Sequence, residues 1–180
     1  MLRVMLDTNV LVKFAFVLNK IYKNTKIPKN LEKYALILSK FENAKFFNVM
    51  SDWNRFELRD VLMKLKLSEI FFLSGYSIDE FRDAKDENIE LSKEDIKNVN
   101  NIVFNIWKFC ERTTKEIDFV KIRKFSRMGY STMDMILLHQ AELNKCDYFV
   151  TNDKKIYTSI ELKNSFDIKI CSVNEFKSKI

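Results

Sequence analysis

Apolar residues recur along the chain with two periods. Short apolar runs closed by polar residues predict strands over 3–6, 46–50, 117–122, 148–151 and 168–172. Apolar positions three and four apart predict helices between them. One covers 10–24 and is apolar on most sides, so it should be buried. The next has Pro28 in its first turn and repeats Leu31, Ala35 and Leu38; another spans roughly 53–67. Ile96, Val99, Val103, Ile106 and Cys110 mark a helix opened by a Ser92–Asp95 capping box, and Ser77–Glu80 has the same spacing. A helix from 133 to about 143 and a short closing helix capped by Asn174 complete the chain. Such alternation fits a parallel sheet with crossover helices.

Polar residues stand out where they interrupt this pattern. The first strand stops at Asp7-Thr8-Asn9, and the strand at 148–151 stops at Asn152-Asp153. A carboxylate in that position lies on the edge where open α/β sheets bind ligands. The ordinary explanation is a helix cap, since Asp, Thr and Asn all serve there. Glu57 shares a stripe with Trp53, Val61 and Leu65, spaced four apart. An acid on a core-facing stripe is costly unless it is paired or bound to a cation; the alternative is an edge position paired with a lysine. Asp134 is the fourth residue of a capping box opened by Ser131, and shares a face with Leu138 and Ala141.

Composition narrows the picture. The 180 residues suit one domain, and two Gly and one Pro exclude long flexible linkers. No stretch reaches the roughly 18 uncharged apolar residues of a membrane span, and Asp7 breaks any signal-peptide pattern. Cys110, Cys146 and Cys171 have no paired spacing. Reduced thiols and a cytoplasmic location are therefore expected, with no disulfide framework or zinc site. The single histidine, His139, excludes histidine-rich metal sites and is expected on a helix surface.

The net charge of +6 is uneven. Residues 79–95 hold eight acids against three bases, so the remainder carries +11. A basic body suits a polyanionic partner such as RNA. Lys121, Arg123, Lys124 and Arg127, interleaved with Phe125 and Tyr130, form a patch of the kind that holds phosphates and stacks bases.

LDTNVLV at 6–12, RFEL around Glu57, MDMILLHQA at 133–141 and DYFVTND at 147–153 resemble, in order, the four signature segments of the PIN domain family. The resemblance covers nearly the whole chain. It implies a single Rossmann-like three-layer α/β/α sandwich with a mainly parallel sheet and a helical insertion at about 77–112, a lid or a partner surface. It also implies a metal-dependent endoribonuclease, either an RNA-processing enzyme or a toxin of the VapC type. Asp7, Glu57, Asp134 and Asp153 would be the catalytic metal-binding quartet, supported by Thr8, Asn9, Thr151 and Asn152. Two residues past Asp153, where many members carry a further acid, the chain has Lys155.

An all-oxygen donor set favours Mg²⁺ or Mn²⁺ over zinc. Two carboxylates about 4 Å apart repel by roughly 4 kcal/mol at an effective dielectric near 20, so four converging acids need a cation. An antitoxin, another protein or a second copy of the chain are further partners the resemblance allows. The alternative function is a PIN-fold module that binds RNA or protein and cleaves nothing. A phosphotransfer enzyme of the haloacid dehalogenase type needs a second Asp where this chain has Asn9.

Overall fold

The computed structural model describes residues 1–43, 45–75, 90–113 and 115–180. Leu2–Leu6 (β1) is the middle strand of the sheet. Phe46–Ser51 (β2) and Glu111–Thr113 (β3) lie to one side, and Tyr148–Thr151 (β4) and Lys169–Ser172 (β5) to the other. All neighbours are parallel, in the order β3-β2-β1-β4-β5. After β1 the chain crosses to β2, whereas β4 enters on the opposite side. The carboxyl ends of β1 and β4 therefore flank the point where strand order reverses, the usual position of a ligand crevice.

Helices cover both faces. Thr8–Tyr22 (α1), Glu32–Glu42 (α2), Asp52–Leu73 (α3), Lys93–Trp107 (α4) and the closing helix Val173–Lys177 form one layer. Phe119–Arg127 (α5) and Thr132–Leu143 (α6), with two short helices at Lys154–Tyr157 and Ile160–Ser165, form the other. The strand pleat sorts the core. Val4 and Leu6 pack with Phe14, Phe46 and Phe176 on the first face. Met5 packs with Phe125, Leu138 and Phe149 on the second. This is a three-layer α/β/α sandwich. No described helix is long and apolar enough to cross a membrane.

Several local expectations need correction. Residues 117–122 are not a strand. Asp118 accepts hydrogen bonds from the backbone N–H groups of Val120 and Lys121, and α5 follows. Ile122 and Phe125, three apart, are buried while Arg123, Lys124 and Arg127 are exposed, so the helical period prevails. The missing strand is β3, three polar residues on the sheet edge with no apolar pattern to read. Glu111 and Arg112 thus leave the expected insertion. Within that insertion α4 packs on α3 and α1, and the Ser77 box lies outside the described residues. The third helix runs on to Leu73 and stops at Ser74 and Gly75, whose φ of 90° suits glycine. Pro28 precedes a short 3₁₀ turn, Lys29–Leu31, ahead of α2. The closing helix is capped by Ser172 in a capping box with Glu175, not by Asn174.

His139 is buried, not on a surface. Its Nε2 accepts from the Asp118 N–H at 3.2 Å, so Nδ1 carries the proton and donates to Glu142 at 3.1 Å. Cys110, Cys146 and Cys171 are free thiols, and burial pushes all three up to about 12.

One buried amide joins the two central strands. Asn48 in β2 is fully buried, and its Oδ1 accepts from the Leu6 N–H at 3.1 Å. Asn48→Val should destabilise the protein by about 1–3 kcal/mol, because that N–H is then left unpaired. Urea unfolding at constant m-value measures this; an unchanged midpoint would mean that Leu6 finds another acceptor.

Candidate active site

Asp7 ends β1 with extended backbone, and its side chain makes no capping bond to α1. The capping explanation therefore fails for this acid. Its carboxylate turns inward, only 2% exposed. Oδ2 accepts from Thr151 Oγ1 at 2.5 Å and from Asn9 Nδ2 at 2.6 Å. Thr151 Oγ1 in turn accepts from Asn9 Nδ2 at 3.1 Å and from the Asp153 N–H at 2.9 Å. Asn9 Oδ1 accepts from the Asn152 N–H at 3.0 Å. These bonds lock the end of β1 to the end of β4. Asn152 Oδ1 also accepts from the Tyr34 hydroxyl at 2.8 Å, tying α2 to the same edge.

Glu57 reaches the edge from α3. The buried face of that helix carries Asn54, Leu58 and Leu62, while Trp53 and Leu65 are 39% and 40% exposed. The Glu57 stripe therefore borders the cleft and not the core, because the neighbouring stripe fills the core. Thr8 Oγ1 donates to Glu57 Oε2 and accepts from Asn54 Nδ2 at 3.1 Å. Asp134, in the first turn of α6, is half-buried. Asp153 Oδ1 accepts from the Lys155 N–H at 2.8 Å, so this acid does cap the short helix after β4.

Asp7, Glu57 and Asp134 line one cleft of about 390 Å³ with Lys13, Phe16 and Leu65. Burial pushes Asp7 up to about 7, and the charges of Asp134 and Glu57 add to the rise. Asp134 is pushed up to about 6, again by burial first, then by Glu57 and Asp153. Glu57 is raised too, by burial and by Asp60. Asp153 is not on the cleft wall; it is tied to the group by its N–H bond to Thr151 Oγ1 and by the charge it exerts on Asp134. None of the four acids makes an ion pair among the described residues. Lys155, beyond Asp153, donates to the Gly129 carbonyl at 2.5 Å and leaves the acids unneutralised.

The donor chemistry fits a hard divalent cation, all oxygen and net negative. Among the described residues, no group of three or more Asp, Glu, His or Cys side chains is arranged to hold a metal ion as it stands. Loading would therefore require side-chain movement, with Asp7 and Asp134 as the principal ligands and Glu57 and Asp153 completing the set.

The basic patch is altered by the structure. Lys121 faces α6, where Nζ meets Glu142 Oε2 at 2.6 Å and lies 4.2 Å from the Phe166 ring centroid. Its charge is met within the fold by Glu142. Arg123, Lys124 and Arg127 remain exposed on α5. Residues missed from sequence are Lys13, Asn54 and Tyr34. Lys13 left a trace, as the one charge in the buried run of α1; the amide and the phenol left none. A comparison with protein-family models and one with curated proteins give no match to this chain.

Proposed function

We propose that the protein is a PIN-type endoribonuclease that hydrolyses RNA phosphodiester bonds with Mg²⁺ or Mn²⁺. One observation carries this reading. A fully buried carboxylate, Asp7, shares the carboxyl edge of a parallel sheet with Glu57 and Asp134, and no described cation is paired with any of them. A protein maintains such repulsion where function uses it. A bound divalent ion would supply an activated water and stabilise the leaving oxygen. The chain's own groups have distinct tasks. Thr151 and Asn9 orient Asp7. Thr8 fixes one oxygen of Glu57, which lines the cleft and would take a proton from the attacking water. Lys13, on the same wall, would meet the substrate phosphate. Arg127, at the end of α5, would meet the backbone further out.

A labelled single-stranded RNA incubated with Mn²⁺ or Mg²⁺ tests this. Cleavage should appear with either ion, vanish in EDTA and return on adding metal back. Undiminished cleavage in EDTA would sink the metal mechanism. A second reading is a PIN-fold module that binds RNA or protein and cleaves nothing; among the described residues no three-ligand group stands ready-made. Calorimetry with Mn²⁺ separates them, since the module needs no ion.

A further inference from the structure

The flank formed by α3, α4 and β3 carries a group that the carboxylate site does not use. The guanidinium carbons of Arg55 and Arg112 lie 4.5 and 4.0 Å from the ring centroid of Trp107. Both distances are within cation–π range. Arg55 also lies 5.9 Å from the ring of Phe56, itself 61% exposed. Two like charges have been brought to one indole. Neither arginine makes an ion pair among the described residues. The acid adjacent to Arg112 in sequence, Glu111, is taken by Arg3 at 2.9 Å.

A guanidinium held within cation–π distance of an indole keeps N–H donors for another partner. It loses little freedom when those donors bind, which suits bidentate capture of a phosphate. The location matches. Arg112 pairs with Met50 in the ladder, one residue from the end of β2. Arg55 is in the first turns of α3, two residues before Glu57. Both come from the sheet edge that carries the four acids.

We propose that Arg55 and Arg112, held on Trp107, form a phosphodiester-binding site for single-stranded RNA, reaching the backbone outside the bond cut at the carboxylates. This rests on the ribonuclease reading for its ligand. The site, not the patch at 121–127, is the better organised cation pair, because both of its side chains are gathered on one ring. Exposed Phe56 offers a neighbouring face for a base.

The test measures binding in EDTA, where no cleavage occurs. The chain has two tryptophans, so Trp53→Phe leaves Trp107 as the sole reporter. Titration with short oligouridylate should quench its emission. Arg112→Ala and Arg55→Ala should each weaken RNA binding about tenfold and lower the salt slope by about one. Arg112→Lys should lose less, because charge remains and the planar fork does not. Thermal melts report folding of each variant. Unchanged affinity and slope in both alanine variants would make the stack a brace between α3 and α4, and overturn the site. Quenching by inorganic phosphate alone, with RNA affinity unaffected by the substitutions, would also overturn it. The two readings fail separately. Arginine-dependent RNA binding without cleavage in Mn²⁺ leaves this site standing and removes the nuclease. Cleavage at wild-type KM in the double alanine variant does the reverse.

Discussion

Asp7→Asn should lower RNA cleavage by at least ~100-fold and leave the fold intact. The magnitude is a lower bound: losing a group that merely supports a metal ligand costs 10–100-fold, and the role proposed for Asp7 is that of a ligand. The fold should survive because asparagine keeps the shape and an acceptor for Thr151 Oγ1, 2.5 Å away in the wild type. Thr8 and Asn54 are untouched by the change. Activity within a few fold of wild type, in a variant with a normal melt, would remove Asp7 from the chemistry.

The same substitution has a pH signature. Asp7 is held up to about 7 and Asp134 to about 6, both from an ordinary value of 3.8. Between roughly 4 and 7 the folded protein therefore binds more protons than the unfolded chain. Stability of the metal-free protein should fall as pH rises through that window, and be fully present only below it. Asp7→Asn removes the larger shift, so its melting temperature in EDTA should decline less between pH 5 and 8. An identical decline in both proteins would mean that Asp7 ionises freely.

How much of this was legible beforehand depends on which pattern carried it. The α/β class could be read because β1 and β4 are apolar, end abruptly and alternate with helices. Their register was implicit in the repeated step from strand to acid, since parallel strands place equal ends on one edge. β3 could not be read. Its three residues, Glu-Arg-Thr, are polar, and only pairing with Val49, Met50 and Ser51 makes them a strand. The helix α5 was misread because Phe119, Val120 and Ile122 look strand-like; the Asp118 cap was the overlooked sign. His139 failed for a related reason. A helix buried from Met135 to Ala141 has no solvent face there, and a moderately polar residue says nothing about that. At the edge, the acids were visible as interruptions of apolar runs. Their hydrogen-bond network was not, because Asn9, Asn54, Thr151 and Tyr34 come from four elements and meet only in the folded chain. Lys121 shows the converse: a residue that looks like surface chemistry until Glu142 is seen beside it.

Asp134→Asn sets the ligand role against the capping role most directly. It stands in the first turn of α6, three residues after the N-cap Ser131, whose side chain makes no capping bond. If Asp134 served only the helix start, asparagine would forfeit the charge–dipole interaction of the first turn, a loss of about 0.3–1 kcal/mol, with or without metal. If Asp134 instead faces Asp7, Glu57 and Asp153, as the direction and causes of its shift indicate, the substitution removes repulsion. The metal-free variant should then be more stable than wild type near pH 7, by an amount on the order of 1 kcal/mol after solvent screening. Excess Mn²⁺ should reverse the order. An ion that binds only the folded state stabilises by RT ln(1 + [L]/Kd), about 2.7 kcal/mol at a hundred times Kd. The wild type should gain this, and the variant much less. Four melts decide the matter, each protein in EDTA and in excess Mn²⁺. Equal metal-induced shifts in the two proteins would show that Asp134 is no ligand. A lower melting temperature for the metal-free variant would show that its carboxylate is not under repulsion.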